Sequence, residues 1–396
     1  MEPIDPEAEP PEEQELEQQA GQAKLVGRPL ILDGREDLHF ANPEYSLRQL
    51  GRHVRLAIGR FIHLFPVNPL DDPTSAQFPV VIDNIVVEAQ EYYLFRTTTL
   101  WERDSDEHYM EAYNQNFLAR CGIGSHIRVQ LIEWMKMVRL WMRISRRTLH
   151  VAVGLMDLYT WLEPILLQDY QLLALAALTL ATRFKSPDYR VIYFLLSAVC
   201  NFAWTQPQIV LMEVQLRDKV KRRINFPTPY RFLDIYINGF TDFSDARRLW
   251  AVRASKYLLD LGLGAEQLCR HSASTRCCGV LFLLRFLLKR HCNCANLGPG
   301  IGDACPHAGI PTWSEALTRL TALNDGPQLR AVALIYGSIL HGTIVTCVPY
   351  FMLHHRAATQ SITFNEYVGP TYHMIALDPV LCGLTTDDLF DIARFP

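Results

Sequence analysis

The chain has 396 residues, 49% of them hydrophobic and 20% charged, as expected of an ordinary globular protein of two or three domains. Collagen, coiled coil and wholesale disorder are excluded. The formal charge of -4 is unevenly spread, because residues 1–23 hold eight acids, from Glu2 to Glu17, and no lysine or arginine. Without that stretch the remainder carries +4, so a mildly basic body follows an acidic leader, which argues against a dedicated nucleic-acid binder.

The leader, residues 1–23, has no aromatic side chain and only Met1, Ile4 and Leu16 as large aliphatics. Such a segment buries too little surface to offset its ordering entropy, and disorder is predicted. Residues 24–124 read as a partly ordered N-terminal extension, with Pro-punctuated stretches such as FPVNPLDDPTSAQFP and a helix expected around Asp83–Thr97. Ten cysteines form no disulfide framework, and the acidic, Pro-rich N-terminus lacks a secretory pattern, so a reducing compartment is expected.

From Ser125 the apolar residues recur at helical spacing. Ile127, Leu131, Trp134, Met135, Val138, Trp141 and Met142 make one stripe, predicting an amphipathic helix. Thr148 is the predicted N-cap of a second helix, Leu149–Thr160, stopped by Pro164. A third, Asp169–Phe184, is apolar nearly all round and would be packed on every side. A short helix at Tyr189–Cys200 and a long one from Pro207 to Arg223 complete a set of five.

After the break at Phe226–Pro229, helices are expected at Tyr230–Asn238, Asp245–Leu261, Ser274–Arg290, Trp313–Leu323 and Gln328–His341, and again the third is the most apolar. The expected architecture is all-α, a twofold repeat of five-helix bundles over residues 125–226 and 227–380, with a tail at 381–396. Ala331–Leu353 is long and apolar, but His341, Pro349 and the closing His354, His355 and Arg356 favour a buried helix and a following extended piece over a membrane span.

Several of these segments resemble the cyclin box. IRVQLIEWMKMV is similar to MRAILVDWLVEV of A- and B-type cyclins, RTLHVAVGLMDLY to ETLHLAVNYIDRF, and QLLALAALTLATRF to QLVGTAAMLLASKF. The likeness runs without a gap from Ile127 to Ser186. It resumes at TQPQIVLMEVQL and PTPYRFLDIY and weakens towards EYVGPTYHMIALDP. It implies two tandem cyclin folds and a non-catalytic role: a regulatory subunit that binds and activates a cyclin-dependent serine/threonine kinase, in the nucleus or cytoplasm, with no cofactor.

The near-invariant cyclin-box positions fall on Arg128, Asp157, Leu172, Arg183 and Glu213, with Arg183 in place of the usual lysine. The resemblance implies that Arg128 and Asp157 form a structural pair, since a guanidinium fork and a carboxylate satisfy each other at a helix junction. It assigns Arg183, Phe184 and Glu213 to the kinase-facing surface, where a cation caps carbonyls, a carboxylate accepts amide protons and an aromatic side chain anchors. Ile127, Leu131, Trp134 and Gln171 match the patch that holds Arg-x-Leu peptides, although Met137 replaces the acid that would pair with the peptide arginine.

Departures from the mitotic pattern are Lys185 and Ser186, where two acids are usual, and Leu158 in place of an arginine. They leave a non-activating cyclin-fold scaffold as the alternative. Nucleic-acid binding is a third reading, disfavoured by the near-neutral body.

Remaining signals carry less. His291, Cys292, Cys294, Cys305 and His307 offer zinc-type ligands but lack C-x2-C spacing, so an ordinary loop and no metal are expected. Arg35–Leu38 has the R-x-x-L shape of a destruction signal. The basic residues Arg143, Arg146, Arg147, Arg217, Lys219, Lys221, Arg222 and Arg223 are read as solvated faces.

Overall fold

A computed structural model describes residues 117–185, 193–224, 227–291, 311–354 and 361–394. The expectations for the acidic leader, the 83–97 helix and Arg35–Leu38 lie outside these residues. Among the described residues all regular structure is helical.

The first half holds α1 (Ser125–Trp141), α2 (Arg146–Leu162), α3 (Tyr170–Lys185), α4 (Tyr193–Val199) and α5 (Gln206–Val220). The stripe on α1 is buried from Ile127 through Val138. The chain leaves α1 through Arg143, whose φ of 51° is a left-handed turn conformation. The N-cap of α2 is Ser145 rather than Thr148: its hydroxyl accepts from the Thr148 amide at 3.0 Å, so the helix starts earlier than expected. At the start of α5, Gln208 Oε1 accepts from the Thr205 amide at 2.9 Å, and Pro207 occupies the first turn, where an absent N–H costs nothing. Helix α3 packs against both α2 and α5 and is buried almost all round, the placement its uniform apolarity predicts.

The second half holds α6 (Pro229–Tyr236), α7 (Asp245–Leu261), α8 (Glu266–Cys269), α9 (Ala273–Arg290), α10 (Glu315–Thr321) and α11 (Pro327–His354). Helix α9 is its counterpart of α3, packed against α6, α7 and α11. At the closest approach of α9 to α11 stands Gly279, where a Cβ would lie 2.4 Å from Val332 Cγ1. Arg285 of α9 is buried; it donates to the carbonyls of Pro311 and Thr312 and to Asp242, so the guanidinium closes the loop before α10.

Helix α11 differs from expectation. It runs unbroken through Pro349 for 28 residues, so the stretch up to Leu353 is helical where an extended piece was expected. Its N-terminal half, from Leu329 to Leu340, is seated in the second core, whereas Val345, Tyr350, Met352 and Leu353 near its C-terminal end are exposed. Three short helices follow: α12 (Ile362–Tyr367), α13 (Pro379–Cys382) and α14 (Thr386–Ala393). The last covers part of α11 where a tail was expected.

The apolar side chains divide into two clusters, one around α3 and one around α9, in keeping with two cyclin-type bundles in tandem. Cys121, Cys200, Cys269, Cys277, Cys278, Cys347 and Cys382, the described cysteines, are all free thiols. Cys200 lies in the first core and Cys277 and Cys278 in the second, and burial raises the pKa of Cys200 and Cys277 well above the ordinary thiol range.

Candidate functional site

Arg128 of α1 and Asp157 of α2 meet through two parallel hydrogen bonds, Nε to Oδ1 at 2.8 Å and Nη2 to Oδ2 at 2.7 Å. Both side chains are buried, and Nη1 of Arg128 donates to the Gly264 carbonyl of the second half at 2.9 Å. The fork therefore ties two helices of one bundle and a turn of the other.

Further along the same seam lies a charge network. Asp260 of α7 accepts from the Tyr230 hydroxyl at 2.8 Å and the Tyr367 hydroxyl at 2.8 Å, and His150 Nε2 stands 3.0 Å from its Oδ1. Arg146 places Nε 2.9 Å from Asp260 Oδ2, outside hydrogen-bond alignment, and its Nη2 donates to Glu366. Its guanidinium lies against both the Tyr367 and Tyr372 rings, 4.7 and 4.4 Å from their centroids, and the two rings touch each other at 4.7 Å. Arg139 donates to the other oxygen of Glu366.

Arg146, expected on a solvated face, is thus 2% exposed. It opens α2 on the side facing the second bundle. Sequence reading missed this network because its partners lie 110 and 220 residues apart and follow no helical period. The only local signal was the pair Glu366–Tyr367 inside EYVGPTYHM.

The charges balance with His150 neutral: two guanidiniums, Arg139 and Arg146, face two carboxylates, Asp260 and Glu366. Burial lowers the His150 pKa below 6.5, against the pull of Asp260, and Arg276 and Lys136 lower it further. Burial alone would raise that of Asp260, but the hydrogen bond from His150 and the Arg146 charge hold it well below 3.8. Nε2–H of the neutral ring then donates to Asp260.

Both shifts act in the same direction. The unfolded chain takes up a proton on His150 below about pH 6.5 that the folded chain refuses, so stability is complete above that pH and declines as pH falls. We expect the melting temperature to drop between pH 7 and pH 5, with a limiting slope of about 1.4 kcal/mol per pH unit from this residue. Thermal melts of His150→Gln across that range should show a shallower dependence; an identical one would rule out a neutral His150.

Elsewhere on the first bundle, Arg183 at the end of α3 and Glu213 on α5 approach to 3.3 Å. The Arg183 side chain is 47% exposed and that of Glu213 7%. Phe184 is 41% exposed, and Val210, Leu211 and Val214 of α5 are exposed on the neighbouring helix. The three residues assigned to one surface are carried by two packed helices, with an apolar fringe beside an ion pair.

Ile127, Leu131 and Trp134 lie on α1 and Gln171 on α3, which touch, but all four are buried, so they present no open groove. Gln171 Nε2 has no partner among the described residues. Of the Cys/His cluster, His291 alone is described. Its Nε2 stands 2.8 Å from Asp388 Oδ2 of α14, a protein contact that occupies the ring nitrogen. The described residues contain no grouping of metal-ligating side chains.

The part of the chain that carries the buried Arg–Asp fork matches a family model. Residues 91–225 match the cyclin N-terminal domain, beginning upstream of Ser125. The match covers about a third of the chain and makes that part similar to a cyclin N-terminal domain. Over 273 residues it is 26% identical to a putative cyclin-B3-1 of Arabidopsis thaliana, covering 68% of this chain and 57% of that one. It is 27% identical over 265 residues to the G2/mitotic-specific cyclin-B3 of Drosophila melanogaster, 67% of this chain and 40% of that one. The human G2/mitotic-specific cyclin-B2 is 28% identical over 127 residues, 31% of each chain.

The relationship to B-type mitotic cyclins is therefore distant. The chain spans 57% and 40% of the length of the two B3-type relatives.

Proposed function

We propose that this chain is a cyclin that binds and activates a cyclin-dependent serine/threonine kinase in cell-cycle control, in the nucleus or cytoplasm. The observation that carries the reading is the paired placement of Arg183 and Glu213 beside exposed Phe184, at the junction of α3 and α5. A guanidinium there can cap kinase carbonyls, Glu213 can accept amide protons, and the apolar fringe supplies buried area. Holding one kinase segment in its active position shifts the kinase population without any chemistry by the cyclin.

The combined substitution Arg183→Ala and Glu213→Ala should abolish co-purification with the kinase and stimulation of histone phosphorylation, with far-UV circular dichroism unchanged. Kinase binding at the wild-type level would overturn the assignment. The second reading, a non-activating scaffold, is favoured by the ion pair, since Arg183 and Glu213 partly satisfy each other. Co-purification without stimulation would select it. Docking of Arg-x-Leu peptides on α1 and α3 requires that buried Trp134 first be uncovered, and Met137 supplies no carboxylate for the peptide arginine.

A further inference from the structure

The two bundles have separate apolar cores, and Leu263 and Cys269 are the residues of the second half that join the first core. Across the seam run several buried polar contacts, among them Arg128 to Gly264, Arg146 and His150 to Asp260, and Arg139 to Glu366. Such a seam is directional: charged forks hold one geometry, whereas apolar surfaces tolerate sliding.

Helix α12 occupies a singular place on it. It has six residues, too few for a stable helix on its own, so its position is set by what it touches. It packs on α7 of its own bundle and on α1 of the other. Phe364 and Tyr367 are buried on the second-bundle side, where the Tyr367 hydroxyl reaches Asp260. On the first-bundle side the Ile362 amide donates to Glu133 Oε2 at 3.2 Å, and Glu366 accepts from Arg139 and Arg146. Glu366 is the one carboxylate among the described residues that Arg139 reaches.

We propose that α12 is a strap across the seam, latched by Glu366, that holds the two bundles in one relative placement and whose release lets them separate while each stays folded. The charge count supports the latch. Without Glu366, Arg139 has no carboxylate within reach among the described residues and Arg146 keeps Asp260 alone, and the excess cation is relieved most cheaply by opening the seam to water. The inference holds whatever protein the first bundle binds.

Hydrogen exchange of the full-length chain, resolved by peptide, tests it. Glu366→Gln keeps the shape and removes the charge; it should speed exchange in α12 about a hundredfold while α3 and α9 change by less than about twofold. Unchanged α12 exchange would overturn the strap, as would α3 and α9 accelerating in step with α12, which would make Glu366 a prop of global stability.

Should Glu366→Gln fail to fold, Arg139→Gln removes one of the two latching arms, and about tenfold faster exchange confined to α12 is expected. The same two contrary outcomes apply to it. Asp234→Asn breaks the outer Arg147–Asp234 pair on the same seam and should leave α12 as it is. A response equal to that of Glu366→Gln would show that any lost seam charge loosens α12, against a latch.

Discussion

Asp157→Ala should lower the free energy of unfolding by about 3–5 kcal/mol, because it strands the Arg128 guanidinium in the core without its carboxylate. Arg128 is 1% exposed and cannot swing to solvent, and its remaining bond to the Gly264 carbonyl neutralises no charge. A domain of ordinary stability has about 5–15 kcal/mol in total, so the loss is a large share. Urea unfolding followed by circular dichroism measures it, and a loss below about 1 kcal/mol would mean that water reaches the fork. Replacing both partners with apolar residues of similar volume should cost much less than either single change, since the penalty lies in the unpaired charge.

The second large effect is expected at Gly279. A methyl group there would lie 2.4 Å from Val332 Cγ1, 2.9 Å from Val332 Cβ and 3.2 Å from the Ala333 amide nitrogen. Val332 is β-branched and sits on a helix, where one χ1 rotamer dominates, so it cannot turn aside, and the Ala333 contact is backbone. Helix α11 would have to move off α9, and we expect Gly279→Ala to cost about 1–3 kcal/mol, against the usual gain for alanine over glycine in a helix. The pair Gly279→Ala and Val332→Ala should recover part of the loss; equal stability of Gly279→Ala and the parent in thermal melts would contradict the close approach.

What the sequence made legible follows a physical division. Helices with a long period or uniform burial were found nearly to the residue: α7 spans the expected Asp245–Leu261, and α3 and α9 begin within one residue of expectation. Local chemistry misled at α2, where Thr148 had the right side chain but Ser145 lies earlier in the extended conformation that a cap needs. At Pro349 the ring removes one backbone hydrogen bond, and the helix continues past it to His354. Helices α12 and α13, of six and four residues, are too short to show a period.

The Arg128–Asp157 pair was legible because a family motif supplied both partners. Arg146 was not, because a guanidinium on an amphipathic helix resembles a solvated charge until the facing bundle is in place. Pairing over 220 residues leaves no trace in the order of residues along either helix.

The cysteines have a practical corollary. A thiol reagent attacks the thiolate, and Cys200 and Cys277 are shielded and held as neutral thiols. They can be modified only when the bundle around them opens. Cys200 therefore times the opening of the first bundle and Cys277 that of the second, so alkylation mapped by mass spectrometry follows each half of the native chain without any introduced label.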